Sequence, residues 1–209
     1  MIRIAPEGAP FILAAWILEA VFVAFGWHVA AVLWLPVAVW VVAFFRDPVR
    51  DGPRGERVVI APADGRVVSV RPIDEPTFHG TEVTRISIFM NVFNVHVNRY
   101  PVDGTITHRH HEPGRFLNAA TEKASLENEQ TSIGLETPRG KVMIRQIAGL
   151  IARRIVTDHG IGTSVRQGDR MGLIRFGSRV DVFLPASVRV AVAEGDTTRA
   201  GQTVIAEWP

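Results

Sequence analysis

Side chains able to act as nucleophile, base or metal ligand are few in kind in this chain. Cysteine is absent, which excludes a thiol nucleophile, a disulfide framework, an iron–sulfur cluster and any zinc site built on thiolates. A metal would have to be held by His and carboxylates. His108, His110 and His111 cluster, with His108 and His110 on one face of a strand, but no further ligand stands at a suitable spacing. They read as surface histidines, and no metal is expected. The only lysines are Lys123 and Lys141, and neither has the flanks of a modified lysine at a hairpin tip. The pair Gly177-Ser178 lies between two strand-like runs. Gly-Ser is a common turn dipeptide, so by itself the pair reads as a turn, and its surroundings must decide whether it does chemistry.

The elements that hold these residues fall into two unlike parts. The 209 residues are 47% hydrophobic, with a mean hydropathy of +0.15, yet between Met1 and Phe45 the only charged side chains are Arg3, Glu7 and Glu19. Phe11 to Phe25 and Val29 to Phe45 are apolar runs parted by Gly26-Trp27-His28. At about 1.5 Å per residue the first covers roughly 22 Å of a hydrocarbon core of roughly 30 Å, so a two-helix hairpin, fully or partly inserted, is expected over residues 1–46. Arg46, Arg50, Arg54 and Arg57 follow the second run and Arg3 precedes the first. Both ends then face the cytoplasm, with the polar part, residues 47–209, close to the cell membrane. Nucleic acid is not an expected partner, because no Lys/Arg run or aromatic-basic interleaving occurs.

From Arg57 onward the pattern is β-like. Val58 to Ile60, Val67 to Val70, Arg85 to Met90 and Val180 to Leu184 are short Val/Ile-rich runs separated by Gly, Pro and Asp turns, which predicts a mainly β barrel or sandwich. Arg115 to Leu126 and Leu150 to Arg154 are the places for a short helix. Three strand, Gly-Asp turn, strand units, near Asp64-Gly65, Gly168-Asp169 and Gly195-Asp196, resemble the flattened barrel of biotinyl and lipoyl carrier domains.

Taken together, several segments resemble the phosphatidylserine decarboxylases, in their short form. They are Ala61-Pro62-Ala63-Asp64-Gly65, Phe89 to Arg99, Pro113 to Phe116, Asn128-Glu129, Gln146 to Gly149 and Ile174 to Asp181, in that order over most of residues 58 to 185. The resemblance implies a proenzyme that cuts itself between Gly177 and Ser178, giving chains 1–177 and 178–209 that stay associated. Ser178 Oγ attacks the Gly177 carbonyl, elimination follows, and the residue left from Ser178 becomes a pyruvoyl group. That covalent cofactor forms a Schiff base with the substrate amine and takes up the electrons released with carbon dioxide. The family pattern points to Asp64 and His96 as the base for scission, a carboxylate orienting an imidazole that deprotonates the serine. It also puts Arg99 where many longer members carry a second histidine. Arg99 and His111 are the candidates for binding the substrate carboxylate or phosphate.

The function implied is conversion of phosphatidylserine to phosphatidylethanolamine and carbon dioxide at a membrane. The alternatives are a membrane-tethered barrel of carrier or adaptor type, or the same mechanism on another serine-bearing lipid. A homo-oligomer is compatible with all three.

Overall fold

The computed structural model of the chain describes residues 2–114, 128–149, 154–175 and 178–209. It divides into two compact units, Met1–Val49 and Arg50–Pro209.

The first unit is a helical hairpin closed by a two-stranded clasp. Strand β1 (Ile2–Ile4) pairs antiparallel with β2 (Arg46–Pro48), Ile2 opposite Pro48, which ties the hairpin's two ends together. Helix α1 runs over Ala9–Ala24 and α2 over His28–Phe44. Gly26 joins them at φ +72°, a left-handed conformation that glycine adopts without a Cβ penalty. The small residues Ala15, Ala31 and Ala38 are the buried positions of the helices along with Phe44, and Trp34 Nε1 donates to the Ala15 carbonyl at 2.9 Å. Small side chains let two helices approach closely while their large apolar residues point outward, and Leu13, Val23, Val29 and Leu33 are exposed here. A 3-10 turn at Pro6–Gly8 extends α1 backwards, so the apolar stretch Pro6–Ala24 has 19 residues and is long and apolar enough to cross a membrane. The Phe11 to Phe25 run underestimated it because proline and glycine in that turn do not read as helix.

The second unit is mainly β. Its strands are β3 (Val58–Ile60), β4 (Gly65–Glu75), β5 (Thr81–Met90), β6 (Val97–Arg99), β7 (Gly104–Glu112), β8 (Gln130–Thr137), β9 (Gly140–Ala148), β10 (Ile155–Thr157), β11 (Ser164–Val165), β12 (Arg170–Ile174), β13 (Ser178–Pro185), β14 (Arg189–Val190), β15 (Thr197–Thr198) and β16 (Val204–Glu207). Eight form one antiparallel sheet in the order β11-β7-β8-β9-β13-β5-β4-β15, and two three-stranded sheets, β10-β12-β6 and β14-β16-β3, complete the unit. The Val/Ile-rich runs fall inside β3, β4, β5 and β13. The short helices expected at Arg115 to Leu126 and Leu150 to Arg154 lie outside the described residues, apart from Arg154.

The period of two along β13 sorts its side chains. Val180, Val182 and Leu184 enter the main core with Ile86, Ile88, Met90, Ile144 and Ala148, and Ser178 shares their alternation. On the opposite face Arg179 Nε and Nη2 grip Asp181 at 2.6 and 2.9 Å, and Nη2 also reaches Ser87 Oγ at 2.9 Å. Burial there pushes the neighbouring Arg145 guanidinium down, against the pull of Asp181. The β4–β5 turn is fixed by Glu75. Burial alone would raise its pKa, but the Thr77 hydroxyl and the amides of Thr77, Phe78 and His79 outweigh that and hold the carboxyl at about 2.

Candidate active site

Ser178 is the first residue of β13, the strand flanked by β9 and β5, and it lies opposite Met90 on one side and Ala148 on the other. Central placement gives its backbone neighbours on both sides and buries it fully. Its Oγ has no hydrogen-bond partner among the described residues. A buried hydroxyl left unpaired costs about 1–3 kcal/mol, and such groups persist where they are needed for chemistry. Gly177, on the other side of the expected scissile bond, lies outside the described residues.

His96 is fully buried just before β6. Its carbonyl receives the amide of Ile174 at 3.4 Å, four residues ahead of Ser178. The β6–β12 pairing, Leu173 with Val97 and Gly172 with Asn98, therefore draws the histidine alongside the segment leading into Ser178. The ring's Nδ1 lies 3.0 Å from the Asn94 carbonyl. A carbonyl only accepts, so Nδ1 carries the proton, and in the neutral ring Nε2 keeps its lone pair.

Asp64 arrives from the other side of β6, where the Arg99 amide donates to the Pro62 carbonyl at 2.9 Å. It is not a turn tip. Gly65 already begins β4, and a Cβ there would collide with the Phe89 carbonyl, so the Asp-Gly pair marks a close crossing of backbones. The Asp64 carboxylate is held by Arg50 Nη2 at 2.6 Å and by the Ala200 amide at 2.7 Å. The expected arrangement of Asp64 orienting His96 is not among these contacts. The Asn94 carbonyl holds the imidazole, and Asp64 faces Arg50, a residue that sequence alone assigned to the basic flank of the apolar runs. Arg50 Nη1 also reaches Gln202 Oε1 at 3.1 Å, so the last residues of the chain brace the pair.

The ion pair is largely buried, at 11% and 12% side-chain exposure. Breaking such a pair from one side strands a charge, at a cost of about 3 kcal/mol. Arg50→Met should therefore lower unfolding stability in urea by about that amount, whereas Arg50→Lys should recover most of it. Equal stability of Arg50→Met and the wild type would show that the pair is not holding Asp64.

Around Ser178 a polar wall escaped the sequence reading as site residues. Asn98 Nδ2 contacts Met90 Sδ at 3.6 Å, Gln146 Nε2 donates to Asn98 Oδ1 at 2.8 Å, and the Thr157 hydroxyl donates to Gln146 Oε1 at 3.1 Å. Asn128 Nδ2 caps the Ala148 carbonyl at 2.7 Å. Asn98, Asn128 and Gln146 stood within the matching segments, and their burial is what separates them from ordinary strand amides.

The remaining candidates are more distant. Arg99 Nη1 donates to the Gly168 carbonyl at 3.0 Å. His111 lies on β7 with Nδ1 3.0 Å from the Thr131 hydroxyl, three strands from β13 in the sheet order, or about 14 Å at roughly 4.8 Å per strand. Among the described residues no three His, Asp or Glu side chains converge as a metal site. Lys141 Nζ is occupied by the Phe78 carbonyl at 2.9 Å and lies over its ring. Lys123 lies outside the described residues.

A mainly β unit whose central strand starts with a buried serine, its hydroxyl without a partner among the described residues, and whose buried His96 bonds through its carbonyl to the segment leading into that strand, has a site that suits a seryl-based enzyme. Comparison with known proteins gives the particular family. A family model described as phosphatidylserine decarboxylase matches residues 37–206. Proteins named phosphatidylserine decarboxylase proenzyme from Nitrosomonas eutropha (51% identical, over 98% of this chain and 95% of theirs), Aromatoleum aromaticum (49%, 99% and 96%) and Geotalea daltonii (45%, 98% and 96%) are similar over nearly their whole length. The chain belongs to the phosphatidylserine decarboxylase family and is an enzyme of that type.

Proposed function

We propose that this protein is a membrane-anchored, self-processing decarboxylase that converts phosphatidylserine to phosphatidylethanolamine and carbon dioxide. The observation that carries the reading is Ser178: a fully buried hydroxyl without a hydrogen-bond partner among the described residues, heading the central strand next to the His96 segment.

With Nδ1 protonated and held by Asn94, His96 offers Nε2 as the base that takes the Ser178 hydroxyl proton. The oxygen attacks the Gly177 carbonyl, the C–N bond to Ser178 breaks, and an ester replaces the amide. Loss of the Ser178 Cα proton and cleavage of the Cβ–O bond release residues 1–177 with a carboxylate end. Water then replaces the nitrogen left on the shortened residue, and ammonia departs. The Ser178 oxygen, without a partner among the described residues, fits this sequence, because a hydrogen bond to a carbonyl would have to be broken before its single attack.

The pyruvoyl group so formed supplies an electron sink for the pair released when carbon dioxide leaves. The chain's residues do the rest. Ser178 is fully buried between Met90 and Ala148, which keeps water from the reacting carbon. Asn98, Gln146 and Thr157 present amide and hydroxyl groups already oriented by one another. Arg99 and His111 are assigned to the head group's carboxylate or phosphate, His111 at the far end.

The two products of scission stay together, because β13 is paired over its whole length with β5 and over Ser178 to Phe183 with β9. Pro6–Ala24 anchors the enzyme, with residues 47–209 on the cytoplasmic face. The commitment of Lys141 to Phe78 argues against a carrier barrel.

Intact mass under denaturing conditions tests the reading directly. Two chains are expected, the smaller matching residues 178–209 with pyruvoyl in place of serine, together with release of carbon dioxide from phosphatidylserine. A single chain of 23.0 kDa after long incubation would overturn it.

A further inference from the structure

Strand register places the Asn98 carboxamide over the reacting residue. Strand β13 has β5 on one side and β9 on the other, with Ser178 opposite Met90 and Ala148, and Val180 opposite Ile88 and Gln146. Side chains opposite one another share a face of the sheet, so Met90 and Gln146 project on the same side as Ser178, one from each flanking strand. Asn98 belongs to β6, in another sheet, and touches both. Its Nδ2 lies 3.6 Å from Met90 Sδ, and its Oδ1 receives Gln146 Nε2 at 2.8 Å. A carboxamide that bridges from β5 to β9 crosses over β13 between Ser178 and Val180, with its nitrogen at the Met90 end, in the row of Ser178.

The direction of that bridge is fixed by its neighbours. The Thr157 hydroxyl donates to Gln146 Oε1 at 3.1 Å, which turns the Gln146 nitrogen toward Asn98, and Asn98 must then show it an oxygen. The reverse setting would press Oδ1 against the thioether, two acceptors without a proton between them. Among the described residues Met90 Sδ is the partner of Asn98 Nδ2, a weak acceptor for a nitrogen with two hydrogens, in a residue with no exposed surface. In the same row stands Ser178 Oγ, without a partner among the described residues. A good donor occupied by sulfur, next to an oxygen that is to carry charge, is a group held in reserve for the reaction.

We propose that Asn98 Nδ2 is the donor for the departing Ser178 oxygen. The inference rests on the self-processing reading above and concerns its second half, in which Oγ is the bridging oxygen of the ester. The Cα proton passes to His96 Nε2, which has by then returned the hydroxyl proton to the freed amine. The Cα–H pair forms the Cα–Cβ double bond, the Cβ–O bond breaks, and its pair stays on the oxygen as part of the new carboxylate of residue 177. Negative charge thus grows on Oγ, and Nδ2 leaves the sulfur for it, trading a weak neutral bond for a charge-assisted one. Gln146 and Thr157 are positioning residues that act through the orientation of Asn98.

Asn98→Ala and the nearly isosteric Asn98→Leu should release the pyruvoyl-bearing fragment 178–209 about 10²–10³-fold more slowly than the wild type, the usual loss for one such donor, while the ester still forms. Neutral hydroxylamine added to the folded precursor reads that ester. It should divide the variants into residues 1–177 ending in a hydroxamate and a 178–209 fragment that begins with intact serine, both recognised by mass. Thr157→Val, at a half-buried position, keeps the carboxamide and loosens its orientation, so it should accumulate the same ester with a smaller delay. Normal release of the pyruvoyl-bearing fragment from Asn98→Leu would overturn the proposal, as would slow release without an ester that hydroxylamine can cut, the result expected if Asn98 served the fold alone. Should neither Asn98 variant fold, Thr157→Val decides: accumulated ester supports the role and its absence overturns it. A wild-type chain that stays uncut with and without hydroxylamine would instead remove the self-processing reading itself.

Discussion

Ser178→Ala should yield one uncut chain without decarboxylase activity, and that chain should be at least as stable as the wild-type precursor. The first half follows from the chemistry: without Oγ there is no ester, no elimination and no carbonyl cofactor, so the loss is complete rather than graded. The second half follows from the surroundings. Ser178 is buried against Met90 and Ala148, and its hydroxyl has no hydrogen-bond partner among the described residues. Alanine keeps the strand position and removes an unpaired polar group that costs about 1–3 kcal/mol. Intact mass, carbon dioxide release and thermal unfolding on the same preparation check both halves. Cleavage at the normal place, or activity, in this variant would exclude Ser178 as the nucleophile. A marked loss of stability would show that the hydroxyl makes a bond that supports the fold.

His96→Ala should slow scission by about 10²–10⁴-fold, the usual contribution of a positioned base. The effect should exceed that of any change at Asp64, because the His96 carbonyl bonds to the segment leading into Ser178 while the Asp64 carboxylate faces Arg50 and Ala200. The measurement is the rate at which the 178–209 fragment accumulates after synthesis of the precursor. A rate within a few-fold of wild type would take His96 out of the scission step.

Much of this was legible in the order of residues. The hairpin announced itself by the near absence of charge before Arg46, and the strands by Val/Ile runs of the right length. Ser178 stood out because residues with the same local order surround it. What could not be read was which distant groups meet. Arg50 looks like one of four arginines trailing an apolar run, and only the return of the chain at Ala200 and Gln202 distinguishes it, through contacts spanning 136 and 152 residues. The Asp64-Gly65 pair has the composition of a turn. Its true role, a close crossing near Phe89, depends on a neighbouring strand whose register local sequence does not specify. The orientation of His96 by a main-chain carbonyl was equally hidden, because every residue has one and only the fold decides which is in reach.

With the chain cut ahead of Ser178 as proposed, the position of that cut relative to the sheet would give folding a direction in time. β13 lies between β9 and β5, so this strand must be in place before its first residue can react, and the precursor folds as a single molecule. Once the bond ahead of it is broken, the same strand belongs to a fragment of residues 178–209. Its return after denaturation becomes a bimolecular search that dilution slows, for a short peptide with exposed Val, Phe and Leu. The two-chain enzyme of this proposal would then persist by the slowness of its unfolding rather than by repeated recovery.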